Sequence, residues 1–246
     1  MDRMLYVAMS GAKQAMDQHA AVANNMANVA TTGFRAQVNS FQAVPVLGEE
    51  SPTRAFVIAT TPRADFRAGP LSETGRPLDV AVRGDGWLVV QTEAGEAYTR
   101  AGNLQVGADG QVTTMAGLPV VGDGGPLVVP PGAAISVAAN GLVTARPAGN
   151  AATGLTEVGR LKLVNPAPAE LVRGEDGLFR MLDGLPAADA DPAVTVASGF
   201  LEGSNVNPVE AMVELIATAR LLDMQMKSLQ TADQNAQAAN KLLAAG

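Results

Sequence analysis

Helical periodicity occupies the two ends of this 246-residue chain and is missing between them. Leu5, Met9, Ala12, Met16, His19, Ala23 and Met26 recur at intervals of 4,3,4,3,4,3, the a/d spacing of a coiled-coil seam. Met212, Leu215, Ala219, Leu222, Met226 and Leu229 repeat it at 3,4,3,4,3 near the other end. Fourteen of the 15 prolines fall from Pro45 to Pro192, and the last, Pro208, stands where the second helix begins. Proline removes a backbone donor and clashes with the preceding turn, so the middle is closed to long helices. A chain helical only at its ends implies that those ends meet.

The first seam predicts a helix from about Asp2 to Asn28, roughly 40 Å long at the usual rise. The stretch Ala23-Asn24-Asn25-Met26-Ala27-Asn28 into Thr31-Thr32-Gly33-Phe34-Arg35 closes it, because Asn, Thr and Gly offer the backbone alternatives to helix. That helix cannot stand alone. Its seven seam side chains contribute on the order of 10 kcal/mol if fully buried, while ordering each residue costs roughly 1–2 kcal/mol. The second helix starts at Asn207-Pro208-Val209-Glu210, with Asn207 as cap, Pro208 at the first helical position and Glu210 three residues after the cap. It runs to about Leu243.

Between the helices, residues 36–77 read as an extended connector with one or two strands, interrupted by Pro45, Pro52, Pro62, Pro70 and Pro77. From Leu78 the pattern is β. Leu78–Val82 and Trp87–Gln91 flank Arg83-Gly84-Asp85-Gly86, a hairpin signal. Further strands are expected at 96–100, 104–106, 111–114, 126–129, 134–138, 142–144, 159–165 and 178–182. Turns every eight to twelve residues indicate an antiparallel meander, sandwich or open barrel. The expected fold is therefore α+β: assembly helices at 1–35 and 201–246, a connector at 36–77 and a central antiparallel β domain at 78–200.

Side-chain chemistry excludes most catalytic classes. Without cysteine there is no disulfide or thiolate site, and the single His19 rules out a multi-histidine metal site or a catalytic triad. The net charge of −7 argues against general nucleic-acid binding, and no apolar run approaches a membrane span. The start lacks the charged and apolar regions of a cleaved signal. Gly122-Asp123-Gly124-Gly125 precedes Pro126 rather than a helix and reads as a turn, not a phosphate cradle. Asp79, Asp85, Glu93 and Glu96 lie beside turns or on solvent faces and form no assignable acid–base pair. His19 reads as a partly exposed seam residue with a hydrogen-bonded neighbour. Asn24, Asn25 and Asn28 read as the ordinary polar face of a helix or, in a dense bundle of identical chains, as short amides that bond neighbouring backbones and set register.

Residues 23–35 also resemble the N-terminal motif of the bacterial flagellar axial proteins, the family of rod, hook and hook-associated subunits. The resemblance continues through Arg76-Pro77-Leu78-Asp79-Val80-Ala81-Val82, Gly86-Trp87-Leu88-Val89-Val90-Gln91 and Ala97-Tyr98-Thr99-Arg100-Ala101-Gly102-Asn103. It resumes at Leu201-Glu202-Gly203-Ser204-Asn205-Val206-Asn207-Pro208-Val209-Glu210-Ala211-Met212. The opening residues 1–12, Trp87 and Met224-Gln225-Met226-Lys227 resemble the proximal-rod members.

The resemblance implies a non-enzymatic subunit of the basal-body rod spanning the periplasm, exported by the flagellum's own type III apparatus without a cleaved signal. It implies partners among copies of itself and other rod subunits, the distal-rod protein included, with no cofactor, nucleic acid or membrane insertion. Terminal helices would pair into an assembly coiled coil, and the polymer would transmit motor torque. Expected subunit contacts are the two seams with Asn24, Asn25, Asn28, Gly33, Phe34, Asn205 and Asn207. A distal-rod or hook-type subunit is the nearest alternative; a soluble β-domain binding module with an intramolecular helical stalk is the other.

Overall fold

The computed structural model describes residues 2–39, 41–45, 55–59, 63–130, 132–146 and 155–244. They divide into two compact units, each discontinuous in sequence. One combines residues 1–29, 36–65 and 206–246; the other combines residues 30–35 and 66–205.

The first unit holds both helices, α1 (Asp2–Ala27) and α2 (Pro208–Ala244). Their extents match the expectation from period and capping to within a residue. Asn207 Oδ1 accepts the Val209 amide at 3.0 Å and the Glu210 amide at 3.5 Å, so two of the orphan donors at the start of α2 are satisfied. At the end of α1, the Asn28 amide reaches the carbonyls of Asn24 and Asn25, and its side chain donates to Asn24 O at 2.9 Å. Two short antiparallel ladders complete this unit: Gln37–Val38 with Arg63–Ala64, and Phe41–Pro45 with Ala55–Ala59.

The second unit is β apart from a 3-10 turn at Pro168–Glu170, and its described ladders are all antiparallel. A five-stranded sheet runs in the order Leu163–Val164, Trp87–Thr92, Gly95–Thr99, Phe179–Met181, Leu171–Arg173. A three-stranded sheet joins Ala134–Val137, Leu142–Arg146 and Thr156–Arg160. Leu88, Val90, Ala97, Leu104, Val120, Val129, Val143, Leu161 and Val196 share one aliphatic core. Trp87 and Val89 are buried as well, so this strand is covered on both faces. That explains its continuous apolar text.

Strand pairing departs from the expectation in one place. Val80–Arg83 does not fold back on Trp87–Thr92; it pairs with Thr195–Ser198, more than a hundred residues on. Trp87–Thr92 instead forms its hairpin with Gly95–Thr99 across Glu93-Ala94. The turn signal at Arg83–Gly86 is real, with Gly84 and Gly86 at φ 69° and 128°, but it carries the chain from one sheet into another. The 36–77 segment, expected as a connector with one or two strands, carries five among the described residues: Gln37–Val38, Phe41–Pro45, Ala55–Ala59, Arg63–Ala64 and Leu71–Glu73. Val121–Gly122, Leu171–Arg173, Thr195–Ser198 and Phe200–Glu202 are also additional to the strands expected. The Gly122–Gly125 segment is the turn that was expected, between Val121–Gly122 and Gly125–Pro126.

Candidate functional site

Within the first unit, α1 and α2 run antiparallel, since His19 meets Thr218 while Gly11 lies against Gln225. The Thr218 hydroxyl oxygen lies 3.0 Å from Leu215 O and 3.1 Å from His19 Nδ1; when it donates to Leu215 O it accepts a hydrogen bond from a proton carried on His19 Nδ1. On α1 the inward line is Ala12, Ala15, His19, Val22 and Met26; on α2 it is Ala211, Leu215, Thr218, Leu222, Gln225 and Leu229.

Both lines keep heptad spacing, and both are turned one position from the sequence seams. Ala12, His19, Met26, Leu215, Leu222 and Leu229 belong to both sets, and Ala219 is half-buried. Met9 and Met16 are each 54% exposed, Met212 56% and Met226 45%, and Ala23 is also exposed. The Leu5 side chain lies outside the described residues. The turn has a steric cause. Gly11, Ala12 and Ala15 let the helices approach closely, and a Cβ at Gly11 would already sit 3.1 Å from Gln225 Oε1. Met9 and Met16 do not fit that gap and stand on its flank, whereas Met26 lies inward at the far end of the line.

The asparagines divide by role. Asn25 pairs with Gln37 like a strand neighbour, donating from Nδ2 to Gln37 O at 2.8 Å and accepting Gln37 N at Oδ1 at 2.7 Å. Asn28 caps α1, and Asn24 is exposed.

In the second unit, residues 30–35 and 200–205 cross side by side. Gly33 N donates to Glu202 O at 2.7 Å, and Asn205 N to Phe34 O at 3.3 Å. The Asn205 side chain donates to Arg67 O at 3.0 Å. Gly33 has φ 68°, and a Cβ there would lie 2.2 Å from the Arg100 carbonyl carbon. Only glycine meets both demands. Phe34 is buried, with the Arg173 guanidinium 4.5 Å from its ring centroid and donating to Arg35 O at 3.0 Å. Burial lowers the pKa of Arg173.

Beneath this crossing lies a buried ion cluster. Glu202 Oε1 is 2.6 Å from Arg35 Nη2 and accepts the Gly69 amide at 2.9 Å; Glu202 Oε2 is 3.0 Å from Arg100 Nη1. Arg35 and Glu202 are 1% exposed and Arg100 is 4% exposed. Arg100 also donates to Gly84 O at 2.7 Å and Val82 O at 3.3 Å. Both guanidiniums approach Trp87, Arg35 at 5.9 Å and Arg100 at 5.3 Å from the ring, and Phe66 and Phe179 also pack on that ring. Burial pulls the Arg100 pKa down, Glu202 opposes that shift and Arg35 adds to it. Two guanidiniums share the one Glu202 carboxylate, so the cluster holds an excess of positive charge, and among the described residues Arg35 Nε and Nη1 have no hydrogen-bond partner.

In the sequence, Arg35, Arg100 and Glu202 stand only as parts of motifs, with no chemistry assigned to them. Asp79, expected on a solvent face, is instead buried; it accepts the Thr74 hydroxyl at 2.7 Å and pairs with Arg76 at 3.0 Å. Glu96 pairs with Lys162 at 2.8 Å. Among the described residues there is no group of three metal-ligating side chains, and no helix is long and apolar enough to cross a membrane.

Three family descriptions match the chain, in sequence order. Residues 5–35 match "flagella basal body rod protein", residues 81–145 "flagellar hook protein FlgE/F/G D1 domain", and residues 197–242 "flagellar basal body rod FlgEFG protein C-terminal". The chain is 49% identical over 249 residues to the flagellar basal-body rod protein FlgF of Escherichia coli K12, covering 99% of each. It is 34% identical over 240 residues to FlgF of Caulobacter vibrioides, covering 93% of each. It is 33% identical over 265 residues to the rod protein FlgG of Agrobacterium fabrum, covering 98% of this chain and 99% of the other.

Proposed function

Since the chain belongs to the family of flagellar basal-body rod proteins and is a structural subunit of that rod, we propose that it sits in the proximal rod and polymerises through the outward flanks of its two terminal helices. The 49% identity to a FlgF rod protein over 99% of both chains carries this reading. The helix pair supplies its physical side. One seam is consumed inside the chain, leaving Met9, Met16 and Ala23 on α1 and Met212 and Met226 on α2 exposed. Val209, Val213 and Ile216 extend the apolar face of α2 by 55–68% exposed side chains. Flexible thioethers adapt to unlike neighbours, which suits a subunit that meets both its own copies and other rod proteins.

In this reading the helices form the assembly coiled coil and the antiparallel unit is carried by it. Torque transmission is a property of the polymer. The chain reaches its place in the periplasm-spanning rod through the flagellar export apparatus. Asn24, beside Ala23 on the exposed side of α1, remains available to a neighbouring backbone, whereas Asn25 is engaged at Gln37.

The test is a pair of charge insertions, Met16→Glu and Met212→Glu, expressed in a strain lacking the chain. Both positions are exposed, so each variant should keep its helical circular dichroism while failing to enter basal bodies and to restore swimming. Normal incorporation of the double variant would sink the flank assignment. A second reading, a distal-rod subunit, draws on the 33% identity to FlgG of Agrobacterium fabrum. Cross-linking from Met16 separates the two by which rod protein is captured.

A further inference from the structure

We propose that the Arg35–Glu202–Arg100 cluster is a closure latch: residues 30–35 dock on the β unit only once residues 200–205 have arrived, so the crossing of the two chain ends forms in a complete chain and stays open in an incomplete one. This goes beyond rod membership and rests on the second unit alone.

Charge sets the dependence. Arg35 and Arg100 approach the same Trp87 ring, at 5.9 and 5.3 Å, and both are buried. Glu202 is the one carboxylate within ion-pair distance of either guanidinium among the described residues. It bridges them with separate oxygens, so each cation depends on the same anion. A buried charge left without its partner is strongly destabilising, and here two like charges would remain together. Glu202 stands 167 positions after Arg35 and 102 after Arg100 in the chain, as their numbering gives. Both arginines therefore precede their counter-charge in any chain made from the N-terminus.

The backbone repeats this dependence. Gly33 N has Glu202 O as its acceptor, and Phe34 O has Asn205 N as its donor. Gly69 N donates to the Glu202 carboxylate and Gly203 N to Pro70 O. Among the described strands, Leu71–Glu73 pairs with Phe200–Glu202 alone. Residues 30–35 and 67–73 thus lose these partners together when 200–205 is absent. By contrast, Trp87–Thr92 and Gly95–Thr99 pair with each other locally and with strands outside that segment. The latch and the sheet are separable.

Hydrogen exchange read by mass spectrometry on the full chain tests this. In Glu202→Gln, which keeps the side-chain shape, amides of residues 30–35 and 67–73 should exchange about a hundredfold faster or more. Those of Trp87–Thr92 and Gly95–Thr99 should stay within about tenfold of the parent. The lone Trp87 should change its near-ultraviolet circular dichroism at the same time. The triple variant Arg35→Met, Arg100→Met, Glu202→Leu has no charge awaiting a partner and should regain protection at residues 30–35 to within about tenfold of the parent. Three results would each overturn the latch: unchanged exchange at 30–35 in Glu202→Gln, uniform loss of protection across the whole β unit, or a triple variant as open as the single one.

Discussion

Three glycines allow the chain crossing to be dissected by one substitution each. Gly75 has φ 69° with nothing within 4 Å of the place a methyl would take, so Gly75→Ala isolates backbone strain. That strain is about 1–2 kcal/mol for a residue held in the left-handed region. Gly69 lies outside that region, but its Cβ would come 2.1 Å from Gly203 O, so Gly69→Ala isolates crowding. Forcing such an overlap apart costs about 1–3 kcal/mol. Gly33 combines both conditions, with φ 68° and the Arg100 carbonyl carbon 2.2 Å from its Cβ. Gly33→Ala should therefore destabilise by about 2–5 kcal/mol, the sum of the two effects. Urea unfolding followed by Trp87 fluorescence measures all three in the unit concerned. Gly33→Ala should lower the midpoint more than either of the others. If it costs no more than Gly75→Ala, residues 30–35 are not pressed against Arg100 and the crossing is not a close one.

Other substitutions probe different layers. Ala15→Met places a long side chain in the close helix seam and should destabilise the helix pair by about 1–3 kcal/mol, whereas Ala23→Met, on the exposed flank, should change it by no more than about 0.5 kcal/mol; thermal melts at 222 nm compare them. Asn25→Ala strips Gln37 of both its side-chain partners and should cost about 1–3 kcal/mol, seen as faster exchange of the Gln37 amide. Hydrogen bonding to Arg180 lowers the Asp176 pKa. The pair's contribution is therefore present above the unfolded-state value and is lost as pH falls through the lower folded one. Because Asp176 is 43% exposed, Asp176→Asn should remove less than about 1 kcal/mol at neutral pH. The parent and the variant should converge in acid, which urea midpoints measured across pH would show.

The helix ends were legible because capping chemistry is local: Asn207 and Pro208 announce α2, and the asparagine run ends α1. The rotation of each helix was not. The lines Met9–Ala12–Met16–His19 and Ala12–Ala15–His19–Val22 both satisfy a heptad, and the choice depends on how closely the partner approaches. Gly11 against Gln225 decides it. Strand positions around Trp87–Thr92 and Gly95–Thr99 followed from apolar runs and turns. The pairing of Val80–Arg83 with Thr195–Ser198 did not, since nothing near Arg83 marks a partner so distant. The ion cluster was hidden for the same reason. Arg35 follows Phe34, Arg100 follows Thr99 and Glu202 follows Leu201, and each looks locally like an ordinary surface charge. Only the crossing of residues 30–35 and 200–205 buries them together.

Purified basal bodies offer the most direct measurement of the chain's role. Quantitative mass spectrometry of basal bodies from the parent strain should find the chain in fixed proportion to the other rod proteins. Deleting its gene should leave no complete rod and no swimming, with both restored by the full-length chain. Complete, rotating basal bodies without this chain would contradict its assignment as a structural rod subunit.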